Sequence, residues 1–225
     1  MILITSYYES PSPERQEEIN ECLKKNNDNP LIKTIYLLND KLYDLHFLGN
    51  NKKIRQFKII KHGKLYFQEA IEFINSYCHQ ETVILSNSDI YFDDTIDLIK
   101  KEYLDNKIYA LLRYDVKEDG SKDIFRHFGE PRSDSQDAWI FTSPLHVDLK
   151  KLNFSFGTLG CDNMFASIIH DHGYEIENPS YSIITYHLHN IEERNYNCDD
   201  RIHGNYCLIR PHHLMETPKI TFMKY

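Results

Sequence analysis

Residues 82–93 read TVILSNSDIYFD, an apolar run that breaks abruptly into Asn and Asp. Val83, Ile84 and Leu85 have the character of a buried strand, and Asn87, Ser88 and Asp89 fall where that strand ends. In open α/β sheets ligands collect beyond the carboxyl ends of the strands. A carboxylate there is able to hold a divalent cation, and the cation is able to neutralise a diphosphate. The same letters also suit a strand followed by an Asn-Ser-Asp helix cap, so this segment alone leaves both readings open.

The flanking chain gives the strand its setting. Ile2 to Thr5 reads as a first strand, and Ser-Pro-Ser-Pro at 10–13 as the turn into a helix with Glu14, Glu17 and Glu18 at its start and Ile19, Cys22 and Leu23 as its apolar stripe. Thr34 to Leu38 is a second strand. Residues 41–64 are irregular, ending in a basic stretch that allows a strand or a loop. Phe67, Ala70, Ile71, Ile74 and Cys78 mark an amphipathic helix ahead of residue 82, a further helix is expected near 93–104, and Ile108 to Arg113 is a strand. Asp93 and Asp94 suit a helix start better than metal ligation. This β-α-β alternation implies an α/β fold, a mostly parallel central sheet flanked by helices.

The second half changes character. Charged and turn-forming residues fill 115–136, a connection of the length that often carries function. Ala138 to Thr142 is a short strand, Asp162 to His172 a helix, and Ser182 to His189 a strand with alternating side chains. Beyond Asn190, regular structure is hard to read. The expected organisation is one domain over 1–225, with 1–114 as a nucleotide-binding half and 115–225 as an acceptor-side half.

Composition limits the function classes. At 225 residues and 41% hydrophobic content the chain can build a sizeable core. A net charge of −8 without a dense basic block argues against a duplex nucleic-acid surface. The five cysteines are odd in number and lack CxxC spacing, which suits buried thiols in a reducing cytoplasm. MILITSYYESPSPER has too short an apolar run for a signal peptide, and no run approaches the roughly 18 apolar residues of a membrane span.

Three further clusters follow Asn87-Ser88-Asp89. Ser135-Gln136-Asp137-Ala138-Trp139 places polar groups at a strand start, beside the chain's only tryptophan. Gly157-Thr158-Leu159-Gly160-Cys161-Asp162-Asn163 places an Asp at a helix mouth after two glycines. Thr185-Tyr186-His187-Leu188-His189 puts two His on one side of a strand.

Together these resemble the GT-A glycosyltransferases, nucleotide-sugar-dependent enzymes with an Asp-x-Asp-type metal motif. The resemblance runs from Ile2 to about Tyr196 and is nearest to small bacterial and large-virus sugar transferases, which for a viral enzyme places it in the host cytoplasm. It implies Asp89 as ligand to Mn²⁺ or Mg²⁺, with Asn87 departing from the motif's first Asp and facing the ribose or a metal-bound water. His187 matches the late histidine that completes the metal shell, with His189 in reserve. Asp162 matches the general base of inverting members, kept ionised and weakly basic by the helix N-terminus.

The likeness further implies Gln136 and Asp137 on the donor sugar, with Trp139 closing the pocket or serving as core. The strand-1 exit, from Thr5 through Tyr7 and Tyr8, holds base and ribose; Arg55 reaches a base edge or phosphate; Arg113 serves the donor. The implied reaction is metal-dependent, inverting transfer of a sugar from a nucleoside diphosphate, UDP first, to a glycan or glycoconjugate acceptor. The rival is a nucleotidyltransferase-like or non-catalytic nucleotide-binding domain. Nucleotidyltransferases usually open with a Gly-rich loop after strand 1, whereas ITSYYESPSPER contains no glycine.

Overall fold

The computed structural model describes all residues except 62, 118 and 189–199. The chain runs β1 (Ile2–Thr5), α1 (Pro13–Asp28), β2 (Thr34–Asn39), β3 (Ile54–Lys58), α2 (Phe67–Tyr77), β4 (Thr82–Ser86), β5 (Ile90–Phe92), β6 (Lys107–Leu111), β7 (Tyr114–Val116), β8 (Lys122–Ile124). It continues β9 (Arg126–His127), β10 (Glu130–Pro131), β11 (Ala138–Thr142), α3 (Cys161–Asp171), β12 (Glu175–Glu177), β13 (Thr185–Leu188), β14 (Asn205–Ile209) and β15 (Ile220–Lys224).

The central sheet has the order β12-β6-β11-β4-β1-β2-β3. Pairs β1–β2, β1–β4, β2–β3 and β6–β12 are parallel, and β11 alone enters antiparallel, between β4 and β6. Side-chain alternation along β11 splits the core. Trp139 and Phe141 face the α2 and α3 side, and Ala138 and Ile140 face the side of α1 residues Ile19 and Leu23. Trp139 is core: it is 2% exposed, with ring centroids of Phe67 and Phe165 at 5.3 and 5.4 Å, edge-on.

Ser12 caps α1, its Oγ accepting from Arg15 N at 3.3 Å, with Pro13 opening the helix. The helix expected near 93–104 does not form. Two 3₁₀ turns, Asp94–Leu98 and Lys101–Leu104, stand there instead. Asp93 Oδ1 draws both the backbone N and the hydroxyl of Thr95, while Thr95 Oγ1 accepts from Ile184 N, so local side-chain bonds compete with the helical ladder. The stretch that allowed strand or loop contains β3, and the polar C-terminal region holds the β14–β15 hairpin. Of the cysteines, Cys22, Cys78, Cys161 and Cys207 are buried and free; Cys198 lies outside the described residues.

A second sheet, β5-β13-β7-β8, crosses the carboxyl rim of the first. Its registers pair His187 with Ile90 on one side and with Asp115 on the other. Asp89 directly precedes Ile90, so His187 falls between two carboxylates that the sequence holds 26 positions apart.

Candidate functional site

Antiparallel entry of β11 creates the site. Ala138 pairs with Ser86 of β4 and with Leu111 of β6, so the residue before β11 meets the residues after the other two strands. Asn87 N donates to Asp137 O at 3.1 Å, and Asn87 Nδ2 and Arg113 Nη1 both donate to Asp137 Oδ1, at 3.1 and 3.2 Å.

From Asp137 an unbroken chain of charged groups crosses the rim. Arg113 Nε reaches Asp115 Oδ1 at 2.8 Å; His187 lies 3.2 Å from Asp115 through Nδ1 and 3.2 Å from Asp89 Oδ2 through Nε2. Arg15 closes on Asp89 Oδ2 through Nη2 and on Glu18 at 2.8 Å through Nη1. Burial works against charge on His187, but the two carboxylates outweigh it and push the imidazole up to about 9. Burial likewise opposes the charge on Asp89, yet His187 and Arg15 hold that carboxyl far below its ordinary range.

Asp162 sits at the mouth of α3. Its Oδ2 accepts from Gln136 N at 3.0 Å and its Oδ1 from Asn163 N at 3.0 Å. Burial, reinforced by the charges of Asp137 and Asp134, outweighs these bonds and raises its carboxyl to about 7. This corrects the expectation of a weakly basic Asp162 held ionised by the helix: desolvation prevails over the helix dipole.

Gly160, before the helix, has φ +85°, and a Cβ there would lie 1.8 Å from Tyr206 Oη. The glycine thus lets β14 pack against the helix mouth.

The sequence-predicted residues divide clearly. Asn87, Asp89, Arg113, Asp137 and His187 come together, with Gln136 and Asp162 adjoining through Asp137 and the Gln136 backbone. Thr5, buried at the end of β1, keeps its hydroxyl without a partner among the described residues. Tyr7 is turned inward, its hydroxyl donating to Asn20 Oδ1 at 2.7 Å and its ring edge-on to Tyr43, whereas neighbouring Tyr8 is exposed.

Arg55 stands apart. It is second in edge strand β3, away from the carboxyl end, and its guanidinium donates to the carbonyls of Lys52 and Ile54 at 2.8 and 2.9 Å. His189 lies outside the described residues.

Sequence reading missed Arg15, Asp115 and Asn163. A signal existed for Arg15: a basic residue in the first turn of a helix opposes the dipole, which makes a partner elsewhere worth seeking. Asp115 gave none, because only the β13 register brings it to His187.

Among the described residues no three His, Cys, Asp or Glu side chains are grouped so as to hold a metal ion. A smaller fit exists. Asp89 Oδ1 is buried without a hydrogen-bond partner among the described residues, and the 3.2 Å between Asp89 Oδ2 and His187 Nε2 suits adjacent ligands each about 2.1 Å from an octahedral cation. The donor set therefore accommodates a two-ligand partial site once the His187 imidazolium exchanges its Nε2 proton for the cation, with Arg15 already on Asp89 Oδ2.

No family model and no curated protein matches the chain. Solved structures do. Staphylococcus aureus TarS, residues 1–349 in complex with UDP-GlcNAc, superposes with a TM-score of 0.54 at 14% identity, covering 86% of this chain and 59% of that one. This chain thus spans about three fifths of the TarS fragment. A 4-diphosphocytidyl-2C-methyl-D-erythritol synthase from Anaerococcus prevotii gives a TM-score of 0.44 at 12% identity, covering 88% and 93% of the two chains. HddC from Yersinia pseudotuberculosis gives 0.40 at 15% identity, covering 69% and 82%. The TarS likeness shows the fold: a mixed α/β domain with a mostly parallel central sheet flanked by helices.

Proposed function

We propose that this protein transfers a sugar from a nucleoside diphosphate, UDP by preference, to a hydroxyl of a glycan or glycoconjugate acceptor, with inversion at the anomeric carbon. One observation carries the reading. The β5–β13 register forms a carboxylate–imidazole pair, Asp89 and His187, while the β4–β11 register sets Asp137 against Asn87 with a separate, high-pKa carboxylate, Asp162, held by the neighbouring Gln136 N.

Asp162 takes the proton of the acceptor hydroxyl as the hydroxyl oxygen bonds to the anomeric carbon and the bond from that carbon to the diphosphate breaks. A carboxyl near 7 is poised for this at neutral pH, basic enough to accept a proton and still about half ionised. Arg113 keeps Asp137 in place for hydroxyls of the donor sugar, and Asp137 retains for them a buried Oδ2 that has no partner among the described residues. Asp89 and His187 would hold Mn²⁺ or Mg²⁺, which when bound supplies charge neutralisation to the departing diphosphate. The absence of glycine between Ile4 and Arg15 favours this reading over a nucleotidyltransferase.

A thermal-shift screen of nucleotides and nucleotide sugars, with and without Mn²⁺, tests it, since a ligand of the native state raises the melting temperature with occupancy. A UDP-sugar should give the largest shift and release UDP on incubation with glycan acceptors. Stabilisation by CTP or another triphosphate, without any response to a nucleotide sugar, would overturn the proposal.

A further inference from the structure

Asp162 is held from both sides, and its two oxygens are held unequally. Among the described residues Oδ2 accepts one bond, from Gln136 N. Oδ1 accepts two, from Asn163 N at 3.0 Å and from Asn163 Nδ2 at 3.2 Å. A carboxylate oxygen has two lone-pair sites, so Oδ1 is filled and Oδ2 keeps one open.

The Asn163 amide has a second task. Nδ2 also donates to Asp134 O at 2.9 Å, tying the segment before β11 that carries Gln136 to the mouth of α3. Both neighbours of that NH₂ are acceptors, which fixes which way the amide points. Asn163 is 4% exposed, and its Oδ1 is buried with no partner among the described residues, so an ordinary surface role does not account for it.

We infer that Asn163 is a positioning residue for the proposed base: its side chain fills Asp162 Oδ1, clasps the 134–136 segment against α3, and thereby directs the one open lone pair, on Oδ2, toward the acceptor hydroxyl. The inference rests on Asp162 being the base. The bare Asn163 Oδ1 is left to accept from a hydroxyl of the bound sugar.

Other charged and titratable groups around Asp162 are Asp137, Asp134 with its partner Arg132, Cys161 and Tyr206. None of these donates a hydrogen bond to the carboxylate, so Asn163 is the side chain whose removal changes the bonding of Asp162 directly.

The test is a ¹³C NMR titration of the full chain labelled at aspartate Cγ, the Asp162 signal being identified by its loss in Asp162→Asn. Removing one donor from the ionised form favours protonation. Asn163→Ala should raise the Asp162 midpoint by about 0.5 units or more, roughly threefold in proton affinity. Asn163→Leu keeps much of the shape, loses both side-chain donors without adding a charge, and should raise it likewise; it serves where Asn163→Ala fails to fold. A folded variant whose Asp162 midpoint stays within about 0.2 units of the parent overturns the inference. The base reading fails separately, through full turnover by Asp162→Asn.

Discussion

Arg15 and His187 meet on a single atom. The Arg15 guanidinium and the His187 imidazole both face Asp89 Oδ2, leaving Asp89 Oδ1 without a partner among the described residues. Two cationic partners on the oxygen proposed as a metal ligand mean that a divalent cation has to compete with the protein's own charges.

Arg15→Gln should therefore raise the affinity for Mn²⁺ alone severalfold, as followed by electron paramagnetic resonance of the free ion. It should also lower metal-free stability by about 2 kcal/mol, less than for a fully buried pair because Arg15 is 20% exposed. Unchanged Mn²⁺ affinity would show that Arg15 does not compete for that oxygen.

Asp89→Ala should abolish the Mn²⁺-dependent part of UDP binding measured by calorimetry. A strand-end carboxylate is expected to contribute little to the fold, but this one is mostly buried between Arg15 and His187. Its removal leaves Arg15 with Glu18 and His187 with Asp115 but takes away the carboxylate they share, and we expect a loss of about 3 kcal/mol in denaturant unfolding. Equal Mn²⁺-dependent UDP affinity in variant and parent would remove Asp89 from the donor site.

Stability should fall between pH 7 and pH 9.5. The folded His187 pKa, about 9, lies above its ordinary 6.5, so its contribution is complete below 6.5 and is lost as pH rises through 9. Asp162 acts in a different window: its carboxyl is raised from 3.8 to about 7, so its effect changes below pH 7. Melting curves of the parent and His187→Gln across pH 7–9.5 separate the two, and parallel curves would contradict this account of His187.

Turnover should depend on an ionised Asp162. We expect kcat/KM to rise with pH around a midpoint near 7, and Asp162→Asn to lower turnover roughly 10²-fold with donor affinity nearly unchanged. Product NMR should show inverted configuration. A variant that loses donor affinity as much as rate would move Asp162 into the nucleotide-sugar site.

Gly160→Ala should cost at least about 2 kcal/mol, since the added Cβ meets Tyr206 while the backbone is in the left-handed region. Urea unfolding checks this, and Tyr206→Phe in the same background should recover part of the loss by removing the clashing hydroxyl.

The sequence by itself determined the local elements whose signals are local. The apolar run 83–85, the Ser-Pro entry to α1, the stripe of α2 and the strand 138–142 appear where their residues place them. It also determined that Asn87, Asp89, Asp137 and Asp162 stand at element ends, because polar residues terminate apolar runs, and that His187 lies within a strand. Their meeting was a tertiary decision. Antiparallel insertion of β11 sets Asp137 against Asn87, and the β5-β13-β7 registers bring His187 to both Asp89 and Asp115. The charge state of Asp162 was decided the same way. The helix mouth that the sequence displays favours ionisation, but the surrounding protein, folded in from Gln136 and Tyr206, removes the water that would sustain it.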